Sequence, residues 1–254
     1  MAETQLAAQM FTLREFSKTP QDLAKTLKKV KSIGYDAVQL SGHGPIAITE
    51  LKKILDDAGL SVCATHIPFD HMANETARVI GEHQLIGCKY PAIGGLPREY
   101  RNADGFAQFA RLATDVGKKL AAGGLRFGYH NHSFELEKFG DRTGLQILYE
   151  DSDSEYFKAE IDTYWVQHGG GDPAEWITKL AGRIPLMHLK DMTVRAGTPI
   201  MAEVGEGNLN WPRILDSCKT SGVEWYIVEQ DTCERSPFDS LAISLKNLKA
   251  MGLR

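Results

Sequence analysis

One phrase recurs along the chain: an amphipathic stretch, then a glycine, then a short apolar run. It is read in KSIGYDAVQL, DDAGLSVCATH, QLIGCKYPAIGG, AAGGLRFGYH, AGRIPLMHL and TSGVEWYIVEQ. A glycine just past a helix takes the left-handed conformation that closes it, and β-branched and aromatic residues suit the buried strand that follows. Gly34, Gly59, Gly87, Gly124, Gly182 and Gly222 therefore mark helix-to-strand junctions. The opening run Leu6 to Met10 and the run Tyr156 to Trp165 bring the strands to about eight, and 254 residues then give about 32 per repeat, the size of one βα unit.

The segments between the strands carry helix signals. Thr19-Pro20-Gln21-Asp22 offers a capping hydroxyl and a proline at the first helical position, and Leu23, Leu27, Val30 and Ile33 follow at helical spacing. Similar stripes occupy Ile48 to Leu60, Phe106 to Leu120, Pro173 to Leu180 and Leu241 to Met251. No proline-rich linker or low-complexity tract divides the chain, so the pattern predicts a single-domain (β/α)8 TIM barrel over residues 1–254. The competing architecture is an open doubly wound sheet, but no G-x-G-x-x-G follows the first strand.

Composition narrows the partners. With 29 Lys and Arg against 33 Asp and Glu the net charge is −4, and the basic residues fall in short helical groups beside acids, which argues against nucleic-acid binding. No apolar run approaches the ~20 residues of a membrane helix. The four cysteines show no C-x-x-C spacing, which fits a reducing cytosol, and the expectation is a cytoplasmic protein acting on a small molecule without membrane or nucleic acid.

The polar residues are placed unexpectedly. Strands of a parallel barrel read as nearly unbroken apolar runs, yet five of these end in titratable groups. They are Thr65-His66, Tyr129-His130-Asn131-His132, Glu160-Ile161-Asp162, His188-Leu189-Lys190-Asp191 and Glu229-Gln230-Asp231. In a barrel all such ends meet at one mouth, where several titratable groups are costly to bury without a compensating ion or substrate. Imidazoles and carboxylates converging there form a mixed N/O shell suited to Mn²⁺, Co²⁺, Zn²⁺ or Mg²⁺. Strand alternation puts His130 and His132 on one face of the fifth strand, and His188 and Lys190 on one face of the seventh, unless a strand has already ended.

These residues resemble the sugar phosphate isomerase/epimerase group of xylose isomerase-like barrels, which also holds inosose dehydratases and the endonuclease IV branch. The resemblance spans nearly the whole chain and is carried by GYHNHSFEL (128–136), IDTYWV (161–166), IPLMHLKDM (184–192), EVGEGNLNW (203–211) and YIVEQD (226–231). It implies one divalent ion, Mn²⁺ first, held in the order Glu, Asp, His, Glu. Asp162, His188 and Glu229 match the last three. Where the first glutamate falls, this chain has His130-Asn131-His132, so the resemblance assigns His130 as fourth ligand, with His132 or Glu135 as alternatives.

The resemblance also implies chemistry. A carboxylate base removes a proton beside a carbonyl that the ion polarises, and the ion stabilises the enediolate. Glu229, His132, Glu135 and Lys190 are the expected catalytic residues, and His66, Trp165 and Glu203 the expected substrate contacts. Asp191 would orient Lys190 or sit on the rim, Gln9, Arg14 and Gln39 face the same mouth, and Glu160 supports the ligands. The leading expectation is isomerisation or epimerisation of a keto-sugar or keto-polyol by a homodimer. The same site could act as a lyase or dehydratase, as in inosose dehydratases or in cleavage of 3-keto-glycosides. An endonuclease-like enzyme would want a basic, DNA-kinking surface, and a non-catalytic sugar-binding subunit would carry a degenerate metal site.

Overall fold

The computed structural model describes residues 5–253. Eight parallel strands close a barrel: β1 (Gln5–Gln9), β2 (Ala37–Leu40), β3 (Ser61–His66), β4 (Pro91–Ile93), β5 (Phe127–His130), β6 (Phe157–Asp162), β7 (Leu186–Leu189) and β8 (Trp225–Val228). Each pairs with its neighbours in sequence, and β8 returns to β1 with Leu6 opposite Tyr226 and Ala8 opposite Val228. No helix among the described residues is long and apolar enough to cross a membrane.

The recurring phrase is realised at all six junctions. Gly34, Gly59, Gly87, Gly124, Gly182 and Gly222 all have positive φ, between 66° and 114°, which side-chain-bearing residues avoid. The first helix spans Pro20–Ile33, with Thr19 Oγ1 accepting from the Asp22 N–H at 3.1 Å and Leu23, Leu27 and Val30 buried. β1 begins and ends one residue earlier than the apolar run Leu6 to Met10, because Met10 opens a 3₁₀ segment (Met10–Phe16).

Inside the barrel the side chains are graded. Toward the strand N-termini, Ala7, Ala37 and Cys63 leave room for Tyr90, Leu186 and Ile227, and a Cβ on Gly128 would stand 3.1 Å from the Ala92 methyl. Toward the C-termini the filling turns polar, with Gln9, Gln39, Glu160 and His188 fully buried. Two hairpins lie outside the barrel, Lys138–Phe139 with Arg142–Thr143 and Asp191–Arg195 with Thr198–Ala202. The run Tyr156 to Trp165 is not one strand: it is extended to Asp162 and helical from Thr163 to His168.

Candidate metal centre

Four donors converge at the mouth from the ends of four consecutive strands. His130 closes β5, Asp162 closes β6, His188 lies in β7, and Glu229 directly follows β8. All four are buried, and one ligand atom from each lies within 4.8 Å of every other. His130 Nε2 is 3.1 Å from Asp162 Oδ2, and His188 Nδ1 is 2.9 Å from Glu229 Oε2. The crossed separations are 4.0 Å from His130 Nε2 to Glu229 Oε2 and 3.8 Å from His188 Nδ1 to Asp162 Oδ2. A tetrahedron with bonds of about 2.1 Å has edges of about 3.4 Å, which these distances bracket, so the donor set could hold a divalent ion.

Lys190 completes the cluster. Its strand has ended at Leu189, and its fully buried ammonium lies 2.9 Å from Asp162 Oδ2, 2.8 Å from Glu229 Oε2 and 2.6 Å from Asp231 Oδ2. Three carboxylates thus share one ammonium. Were both imidazoles neutral, as binding an ion requires, the surplus would be two negative charges, the charge of a divalent ion. Burial alone would raise Asp162 and Glu229, but Lys190 and the imidazoles outweigh it and hold both below the usual carboxylate range. Burial likewise disfavours the charged form of His188, and Glu160 with Glu229 reverses this, holding the ring at about 10.

Asp162 does two tasks. Oδ2 faces the cluster while Oδ1 accepts from the Trp165 N–H at 3.0 Å and caps the short helix Thr163–His168. Its backbone N–H donates to Asn131 Oδ1 at 3.0 Å, so the residue between the two histidines braces the neighbouring strand end. Glu229 has no such second tie: among the described residues only its Oε2 is engaged.

The other candidate residues are distributed as follows. His132 lies beyond the end of β5, so strict strand alternation no longer governs it, and its ring stands 4.9 Å from His130 and 5.4 Å from Trp165 between centroids. Burial, helped by His130, lowers it to about 3, so it is a neutral imidazole. His132 Nδ1 and Trp165 Nε1 are the two buried side-chain polar atoms without a hydrogen-bond partner among the described residues. Glu135 is outside the donor cluster. It is fully buried, accepting from the Tyr129 hydroxyl at 2.7 Å and from the His132 N–H at 2.9 Å. Glu203 is also apart, accepting from the Ser240 hydroxyl at 2.6 Å and facing Arg235 Nε at 3.2 Å. His66 borders a cleft of about 510 Å³ beside the cluster, walled by Ile67, Phe69, Tyr100 and His132 over Gly94 and Gly95. A Cβ on Gly94 or Gly95 would reach within 3.0 Å of the His66 ring or 3.2 Å of the His132 ring.

Asp191 does not bond Lys190, whose outer partner is Asp231. It accepts instead from five donors: the N–H groups of Met192, Gly205, Gly207 and Leu209 and the indole N–H of Trp211. One carboxylate therefore gathers the segment 203–211 beside the mouth.

Comparisons with known proteins agree with this architecture. The Rhizopine catabolism protein MocC of Rhizobium meliloti is 22% identical over 281 residues, covering 90% of this chain and 81% of that protein. A sugar phosphate isomerase/epimerase from Parabacteroides distasonis superposes with a TM-score of 0.80 at 24% identity, covering 100% of this chain and 96% of that one. An L-ribulose 3-epimerase superposes at 0.71 with 18% identity, over 100% and 95% of the two chains. The model of the xylose isomerase-like TIM barrel family matches residues 27–251, and the chain belongs to that family.

Proposed function

We propose that this protein is a divalent-metal-dependent sugar isomerase or epimerase that moves a proton on the carbon beside the carbonyl of a keto-sugar or keto-polyol. The observation that carries the reading is the meeting of two imidazoles, two carboxylates and the Lys190 ammonium within one buried cluster. When bound, a divalent ion supplies an electrophile that acidifies the C–H beside the carbonyl.

Glu229 is the base. Asp162 is committed to a helix N-terminus through Oδ1, whereas Glu229 Oε1 carries no hydrogen bond among the described residues. Lys190 holds both carboxylates ionised and offers its ammonium to charge developing on a substrate oxygen. His132 fits a hydrogen-bonding role: its ring is neutral, and its Nδ1 is buried with no hydrogen-bond partner among the described residues. Glu135 acts through His132, gripping its backbone N–H, and the indole of Trp165 forms a wall beside that ring.

The test is incubation with ketoses in deuterated water after loading with Mn²⁺, Co²⁺ or Zn²⁺. The expected outcome is one equivalent of bound ion and deuterium entering the carbon beside the carbonyl. Asp162→Asn and His188→Gln should lose the ion and, with it, the exchange. Release of water or an alcohol in place of exchange would move the assignment to a lyase, and a parent that takes up no ion would point to a sugar-binding subunit.

A further inference from the structure

Just beneath the donor cluster lies a second buried polar layer that touches no ion-facing atom except through His188. Its centre is Glu160, fully buried on β6 two residues before Asp162. Glu160 Oε1 accepts from Gln39 Nε2 at 2.7 Å and lies 3.2 Å from His188 Nε2, while Oε2 is 2.6 Å from His66 Nε2. Gln39 Oε1 lies 2.6 Å from the same His188 Nε2 and accepts from Gln9 Nε2 at 2.8 Å.

We propose that Glu160 is the positioning residue of the metal centre: it sets the tautomer of His188 through Gln39 and thereby determines which ring nitrogen faces the ion. This rests on the metal reading above. An ionised carboxylate only accepts hydrogen bonds, so each neighbour must turn a donor toward it. The Gln39 amide therefore aims its NH₂ at Glu160, which leaves its oxygen facing His188, and Gln9 donates to that same oxygen. His188 then meets two acceptors at Nε2 and keeps a proton there, so a neutral, ion-binding ring gives up its other proton, the one that Nδ1 turns to Glu229 Oε2 at 2.9 Å. Its lone pair is left on Nδ1, the nitrogen that joins the donor cluster.

The other arm of Glu160 does the same for His66. With Nε2 turned to the carboxylate, the His66 Nδ1 edge faces Gly94 and the cleft. One buried carboxylate thus orients an imidazole on the ion side and another on the cleft side. Without it, Gln39 is free to turn over and present its NH₂ to His188 Nε2, which would move the ring proton to Nδ1 and remove a ligand.

The experiment is a Co²⁺ titration of chelator-stripped protein, read by visible absorption and by bound-metal analysis, in the parent, Glu160→Leu and His66→Asn. The parent should bind one equivalent. Glu160→Leu should bind it about 10–100-fold more weakly, the range typical for loss of a group behind a metal-bound histidine, while His66→Asn keeps parental affinity. Glu160→Leu binding as tightly as the parent overturns the proposal, as do two equivalents in the parent that fall to one in the variant, which would make Glu160 a ligand. A parent that binds nothing overturns the metal reading itself, a distinguishable result. Should Glu160→Leu fail to fold, nitrogen-15 spectra of the Zn²⁺-loaded parent decide: the proposal expects His188 protonated at Nε2, and metal on Nε2 would sink it.

Discussion

His83 shows how a buried imidazole behaves when it is not part of the site. It sits on the helix Thr76–Ile86, with Nε2 2.8 Å from the Thr65 hydroxyl oxygen and Nδ1 2.8 Å from the Val79 carbonyl. Burial lowers its pKa despite the bond to Val79. A histidine lowered on folding costs nothing above its unfolded value of about 6.5, and stability is lost as the pH falls below that, because only the unfolded chain readily takes the proton. His83→Gln keeps polar partners but cannot be protonated. Between pH 7.5 and 5.5 it should lose less stability than the parent, by up to about 1 kcal/mol in urea unfolding. Equal losses in both proteins would show that His83 titrates normally.

Residue by residue, the sequence was informative where chemistry coincided with position. His130, Asp162, His188 and Glu229 stand out because charged and imidazole groups interrupt apolar strands, and each lies at or near a strand end. Glu135 was not legible in this way. Its engagement by Tyr129 turns on a side-chain contact across a loop, which no spacing reveals. Glu203 is similar, because Ser240 and Arg235 lie more than thirty positions away in sequence.

Among the elements, the hairpin after β7 was the main one that the hydrophobic pattern did not announce. Its strands, Asp191–Arg195 and Thr198–Ala202, are joined by Ala196 and Gly197, both at positive φ, a two-residue turn without the Asn or Asp that usually signals it. The short helix after Asp162 was hidden for a related reason: TYWV reads as strand, and the Asp162 cap that turns the chain is visible only in three dimensions. Asp191 then organises the segment that follows. Gly207 passes so close that a Cβ there would meet the Asp191 carboxylate at 2.4 Å. In Asp191→Asn one acceptor oxygen becomes a donor facing N–H groups, which should cost about 2–3 kcal/mol. Hydrogen exchange should rise across 203–211 and stay unchanged in β1 to β4. Uniform exchange across the chain would mean that Asp191 is not a local hub.

At the scale of the molecule, the βα repeat was legible because one rule is used six times, a positive-φ glycine between a helix and the apolar strand that follows. Closure between β1 and β8 was not written in any single segment. It follows from eight units sharing one twist. Since the four donors come from β5, β6, β7 and the end of β8, an ion held by them would tie together half the barrel wall. An ion present at a hundred times its Kd should stabilise the fold by about 2.7 kcal/mol, an increment removed by chelation and measurable as a shift of the urea midpoint. A midpoint indifferent to Mn²⁺, Co²⁺ and Zn²⁺ would contradict the donor assignment.

The helix-closing glycines and the donors occupy opposite ends of the barrel. At Gly87, Gly124, Gly182 and Gly222 nothing lies within 4 Å of where a Cβ would stand, so these turns open to free space, although their backbone still demands glycine. The neighbouring positions are therefore natural handles. A dye, a surface linkage or a fused carrier attached beside Gly124 or Gly222 would leave the mouth facing outward, so an immobilised form of this protein would present its donor end to the solution.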